Sequence, residues 1–121
     1  MQQALVAGFR GDPEPNVFIV NVIHAHEGKQ EEAFRLIQDV VNHVAERKEG
    51  LLWSNLAKST DGKTVVNIEA IAGEGNVEEF FADAVFLEKF EALHSVSTCE
   101  FHTYRVEDLV LPKRATLAAS A

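Results

Sequence analysis

Val17-Phe18-Ile19-Val20-Asn21-Val22-Ile23-His24 is the stretch on which the fold turns. β-Branched residues dominate it, and they suit extended chain because they pack well on a pleated surface. Alternate residues of a strand point to opposite faces. Here both sets are apolar: Ile19 and Ile23 on one side, Phe18, Val20 and Val22 on the other. A strand of that kind belongs in the middle of a sheet, covered on both faces. Asn21 alone interrupts it.

Downstream, Glu27-Gly28-Lys29 breaks the strand. From Gln30 to about Lys48, Phe34, Ile37, Val41 and Val44 recur at helical spacing, widened by Leu36 and Val40. Glu49-Gly50 stops that helix, since glycine accepts the left-handed cap conformation. Leu51 to Lys58 reads as a second strand and Thr64 to Ala72 as a third. The turn between them, Ser59-Thr60-Asp61-Gly62-Lys63, carries the Asp-Gly pair of a tight hairpin. Gly73-Glu74-Gly75-Asn76 is a loop, with Asn76 in place to cap a helix from Val77 to about Val96, broken near Asp83-Ala84. Thr98 to Leu109 is the last strand. Upstream, Gly11-Asp12-Pro13-Glu14-Pro15 blocks regular structure. The expected division is therefore an irregular arm over 1–15, one domain over 16–110 and a tail over 111–121.

The order β-α-β-β-α-β is the split βαβ pattern of an α+β, ferredoxin-like fold with a four-stranded antiparallel sheet. Its first and third strands lie side by side in the middle, and helices cover one sheet face. Yet strand one is apolar on both faces, Ile19 and Ile23 against Phe18, Val20 and Val22, and the third strand adds Val66, Ile68 and Ala70 on one face. An uncovered apolar face calls for a partner, and a second copy pairing face to face is the simplest one. The expectation is a homodimer, a dimeric α/β barrel.

Composition narrows the function. A chain of 121 residues suits one domain, with 46% hydrophobic and 25% charged residues in ordinary proportion. The single cysteine, Cys99, excludes an intrachain disulfide and a cysteine-clustered zinc site. A net charge of −8 without a Lys/Arg cluster makes nucleic acid and anionic membrane poor partners. No apolar run approaches the roughly 20 residues of a membrane span, and Ala4–Phe9 is short for a signal segment, so a cytoplasmic protein is expected. No glycine-rich nucleotide fingerprint, phosphate-binding loop or nucleophile elbow is present. His24 and His26 share a strand face, as metal ligands can, but two imidazoles alone rarely make a site. They read as a wet strand end, and no metal is expected.

What remains is a pair of amides. Asn21 on strand one and Asn67 on strand three sit on predicted neighbouring strands, where asparagine is disfavoured. Two such side chains can aim N–H donors at one ligand oxygen and stabilise an enolate or phenolate as it forms. The plain alternatives are that each satisfies a bulge or a water, or that Asn67 and Glu69 lie on the wet side of a half-buried strand. His94, four residues after Phe90 and eight after Phe86, is the candidate base near neutral pH, or else a rim residue. Trp53, Phe80, Phe81, Phe86 and Phe90 are core aromatics, some of which also suit an apolar ligand cavity.

Residues 16–110 resemble the antibiotic biosynthesis monooxygenase family. The resemblance rests on His26-Glu27-Gly28 before the first helix and on Glu49-Gly50-Leu51-Leu52 opening the second strand. Ser59-Thr60-Asp61-Gly62, Val65-Val66-Asn67-Ile68-Glu69 and Phe86-Leu87-Glu88-Lys89-Phe90-Glu91-Ala92-Leu93 follow in order. The resemblance implies a cofactor-independent oxidation of an aromatic polyketide, such as an anthrone going to a quinone, in antibiotic or secondary-metabolite biosynthesis. Metal, flavin and haem are not needed, and O2 is the co-substrate: the substrate's enolate passes it an electron and the radical pair recombines. Asn21 and Asn67 fall where such enzymes carry pocket asparagines. The family's pocket tryptophan falls at Ile71, its helix arginine at Phe90 and its pocket tyrosine near Asn76 or Val77. The haem-degrading branch needs a Trp and a His where Phe80 and Phe90 stand, so haem degradation is not expected. The expected site is Asn21, Asn67 and His94 for chemistry, with Trp53, Ile71, Phe80 and Phe90 packing the substrate. The same cavity without oxygen chemistry would serve a cyclase or isomerase, and without turnover a small-molecule-binding dimer.

Overall fold

A computed structural model of the chain describes residues 17–47, 50–71, 82–108 and 110–113. The expected arm 1–15 and most of the tail 111–121 lie outside them, as do the expected cap Asn76 and the aromatic Phe80. In chain order the elements are β1 (Val17–Ala25), α1 (Gln30–Arg47), β2 (Leu51–Lys58), β3 (Thr64–Ile71), α2 (Ala84–His94) and β4 (Ser97–Arg105). The sheet order is β2-β3-β1-β4 with every neighbouring pair antiparallel. This is the α+β, ferredoxin-like arrangement, with β1 and β3 adjacent in the centre. No helix among the described residues is long and apolar enough to cross a membrane.

α1 forms because its apolar residues fall on one stripe, and that stripe is what it buries: Ala33, Ile37, Val40, Val41 and Val44. Glu31 and Glu32 sit in its first turn, where the helix dipole favours negative charge. The N-terminal residue Gln30 donates from Nε2 to the carbonyls of Ser59 and Thr64, both at 2.9 Å, and so pins α1 to the β2–β3 hairpin. That hairpin turns on Gly62, whose φ of 80° lies in the left-handed region that glycine reaches without a Cβ clash.

α2 starts where Asp83 caps it. The Asp83 Oδ1 accepts from the backbone N–H of Val85 and of Phe86, at 2.9 and 3.1 Å. This cap coincides with the expected helix break near Asp83-Ala84. β4 runs to Arg105, which stands opposite Val17; the expected strand end at Leu109 lies outside the described residues.

The main core lies between the helices and one sheet face. Ile23, Ala33, Ile37, Val65 and Leu93 are its most enclosed members. Burying one such aliphatic side chain contributes about 1.5–3 kcal/mol. On the opposite face lie Val20, Val22, Val66 and Ile68, all part-buried, with Phe18 packed against Trp53 at 5.6 Å between ring centroids.

Candidate functional site

Register decides the site. Successive cross-strand pairs on the helix-covered face are Ile23 with Val65, Asn21 with Asn67, Ile19 with Glu69, and Val17 with Ile71. Side chains of a directly opposed pair share a face, so Asn21 and Asn67 are side by side beneath the helices. They are 1% and 2% exposed. Of the alternatives left open by the sequence, the wet-side placement of Asn67 and Glu69 is excluded: Glu69 is also buried, 8% exposed, on the same face.

These three polar residues line one cavity. α1 closes it with Ile37, Val40, Val41 and Val44, α2 with Phe86 and Phe90, and β4 with Phe101. Phe86, Phe90 and Phe101 form a stacked row with centroids 5.5 Å apart at each step. The enclosed floor has about 20 Å³ of room, enough for roughly one water molecule. That room is smaller than a fused-ring ligand.

The two amides are held differently. Ser54 on β2 donates its hydroxyl to Asn67 Oδ1. That fixes the Asn67 carbonyl toward β2 and turns its NH₂ toward Glu69, whose ionised form it favours. Asn21 has no hydrogen-bond partner for either Nδ2 or Oδ1 among the described residues. Cys99 lies near enough for the Asn21 amide to oppose the rise in its pKa that burial causes, yet the two are not in hydrogen-bond geometry. A buried amide left unpaired costs about 1–3 kcal/mol, so this one is either a strain on the fold or a donor and acceptor reserved for a ligand.

Glu69 is the residue that sequence reasoning passed over. Burial pushes its carboxyl up to about 7, and the Asn67 amide pulls the other way. The signal was present in the sequence: Glu69 shares the parity of Asn67 on a strand otherwise apolar, and it follows by two residues.

The other expected site residues divide. Phe90 lines the cavity. Ile71 is buried on the covered face but is not among the residues lining the cavity. Phe80 lies outside the described residues. Trp53 is not at the cavity. A bulge between Leu51 and Trp53 inserts one residue into β2, so Leu51 opposes Ile71 while Trp53 opposes Ala70. The extra residue reverses the alternation and turns the indole to the far face, against Phe18. His94 is exposed at the end of α2 and also stands outside the lining. Eight positions past Phe86, it has rotated about 80° off that residue's line, and it meets Phe90 edge-on with centroids 4.6 Å apart.

On the far face Glu100 receives both His24 and His102, at 3.1 and 2.7 Å, and these imidazoles, His102 foremost, lower its pKa. The trio is exposed, and no group of three or more His, Cys, Asp or Glu side chains suited to a metal ion occurs among the described residues.

The fold, with its two helices over a four-stranded antiparallel sheet, is shared with solved antibiotic biosynthesis monooxygenases. SnoaB, a cofactor-independent oxygenase from Streptomyces nogalater, is 22% identical over 78% of this chain and 95% of that chain, with a TM-score of 0.68. The monooxygenase from the gene ActVA-Orf6 of Streptomyces coelicolor, solved with the ligand Nanaomycin D, is 24% identical over 84% of this chain and 96% of that chain, with a TM-score of 0.69. A candidate antibiotic biosynthesis monooxygenase from Caulobacter crescentus is 15% identical over 76% and 90%, with a TM-score of 0.65. At these identities the likeness is one of fold. No family model matches the chain, and no curated protein sequence matches it.

Proposed function

We propose that this protein is a cofactor-independent monooxygenase acting on an enolisable aromatic substrate of polyketide type, working as a homodimer. One observation carries the reading: Asn21 and Asn67 form a directly opposed pair under the helices, and both Asn21 amide atoms lack a partner among the described residues. An enolate oxygen seated on that pair would receive N–H donors from two buried amides, in a cavity whose other walls, Glu69 apart, are apolar. Exclusion of water by Phe86, Phe90 and Phe101 strengthens those donors, because charge is screened less there than in solvent.

The chemistry needs no group beyond substrate and O2. Loss of a proton from the ring methylene gives the enolate, which passes one electron to O2. The carbon radical and superoxide then join, and the resulting hydroperoxide loses water to leave a carbonyl. One oxygen atom enters the product and the other leaves as water. The fold shared with SnoaB and with the Streptomyces coelicolor monooxygenase supports this reading.

An oxygen electrode with anthrone as the probe tests it. The expected result is protein-dependent uptake of one O2 for each anthraquinone formed. Conversion of anthrone to an isomer at the same rate under argon and in air, with no quinone formed, would replace oxygenation with a cyclase or isomerase activity in the same cavity. Tight binding without turnover would leave a binding protein.

A further inference from the structure

Glu69 is an acid buried on the covered face of the sheet. It sits on β3 between Asn67 and Ile71, opposite Ile19, and lines the cavity beside the two amides. Among the described residues no cation pairs with it. The packed elements offer it none: α1 presents Val and Ile side chains to the cavity, α2 presents Phe86 and Phe90, and β4 presents Phe101. His43, the buried imidazole of α1, is engaged with Asp83 instead, at 2.8 Å. A carboxyl in such a place is costly when ionised and is usually replaced by an apolar residue unless it is used.

Resting on the function proposed above, we propose that Glu69 is the catalytic base, taking the proton from the substrate carbon while the adjacent amides hold the enolate oxygen. In this step the C–H bond breaks and an O–H bond forms on the Glu69 carboxylate. The C–H electron pair moves into the enolate, whose charge settles on the oxygen facing Asn21 and Asn67. Oxidation begins only afterwards, with O2 as the acceptor. The Glu69 proton is available again when the hydroperoxide loses water. Burial supports the role, since a carboxyl raised to about 7 is half ionised near neutral pH and is a stronger base than an exposed glutamate. Geometry also favours it over His94, which stands outside the cavity.

The test separates the proton step from the oxygen step. Anthrone in D2O under argon exchanges its methylene protons, which proton NMR reads directly. Wild-type protein is expected to accelerate that exchange, with a rate rising through an inflection near pH 7. Glu69→Gln should lower both exchange and aerobic turnover by about a hundred- to ten-thousandfold and remove the inflection. Glu69→Asp, which keeps the carboxyl, should restore part of the rate. A Gln variant with an unchanged rate and pH profile overturns the assignment while leaving the oxygenase reading intact. Wild-type exchange without O2 uptake keeps the base and removes the oxygenase reading. Wild-type protein that does neither overturns both. Should the Gln variant fail to fold, carbon-13 titration of the Glu69 carboxyl in the wild type decides: a midpoint near the ordinary 4.5 overturns the assignment.

Discussion

Two rungs of the central ladder, neighbours on its covered face, meet the same helices and do opposite things. Ile23 with Val65 is fully buried, apolar and packed against Ile37 and Leu93. Asn21 with Asn67, the next on that face, is just as buried and polar, with one of its amides unpaired among the described residues. Backbone and neighbours are common to both rungs, so the difference lies in what the side chains are for. The first rung stabilises the fold, and the second gives up stability to keep donors dry and aimed. Glu69, next again on that face, extends the second kind. Such a division is the expected mark of a site, where local rules for a core are broken by residues with another task.

The contrast can be broken from either side. Ile23→Ala should cost the most stability, about 2–5 kcal/mol in chemical denaturation, because it opens a cavity in a core that cannot collapse onto it. Its turnover at saturating substrate should stay within a few-fold of wild type; a thousandfold loss would show that the apolar rung also belongs to the site.

Glu69 imposes a pH dependence of opposite sense to that of a paired carboxylate. Its folded pKa lies above the unfolded one, so between about 4.5 and 7 the folded chain keeps a proton that the unfolded chain has lost. Its contribution to stability is full below 4.5 and is lost as the pH rises toward 7, by roughly 3 kcal/mol in all. Denaturation midpoints across that window should fall in wild type, and the Glu69→Gln variant should lack this part of the slope. Equal slopes would mean the carboxyl is hydrated.

Asn67→Ala should lower turnover by about ten- to a thousandfold, the range for a lost oxyanion donor, with circular dichroism unchanged. It should also move the pH inflection of Glu69 upward, since the amide holds that carboxyl down. The smallest effect sharpens the comparison most. Asn21→Val turns the second rung into a copy of the first. Thermal unfolding should show a gain of about 1 kcal/mol, from removal of a buried unpaired amide, while turnover falls. A loss of stability would mean that the amide is satisfied within the fold.

Much of this was legible in the chain. The hairpin at Asp61-Gly62, the stripe on α1 and the two-sided apolarity of β1 set the element order and the central place of β1 and β3. From that order, the placing of Asn21 and Asn67 on neighbouring strands followed, while the face that carries Asn67 did not. Two further placements were not legible. Trp53 left the covered face because one extra residue in β2 reverses its alternation, and nothing in the composition of Leu51-Leu52-Trp53 announces a bulge. Glu69 was hidden by its type: an acid in a strand suggests solvent, and only the structure shows that the face it shares with Asn67 is the covered one.

Asp83 carries a consequence for the roof of the cavity. One of its oxygens caps α2, and the other lies 2.8 Å from Nε2 of His43, buried on α1. The His43 contact, ahead of the Phe86 N–H, keeps that carboxyl ionised, so it can only accept and the imidazole must be the donor. A single carboxylate thus bolts the start of one helix to the flank of the other. The tie holds while Asp83 is ionised, so acid strong enough to protonate that carboxyl removes this join between the two helices that roof the floor.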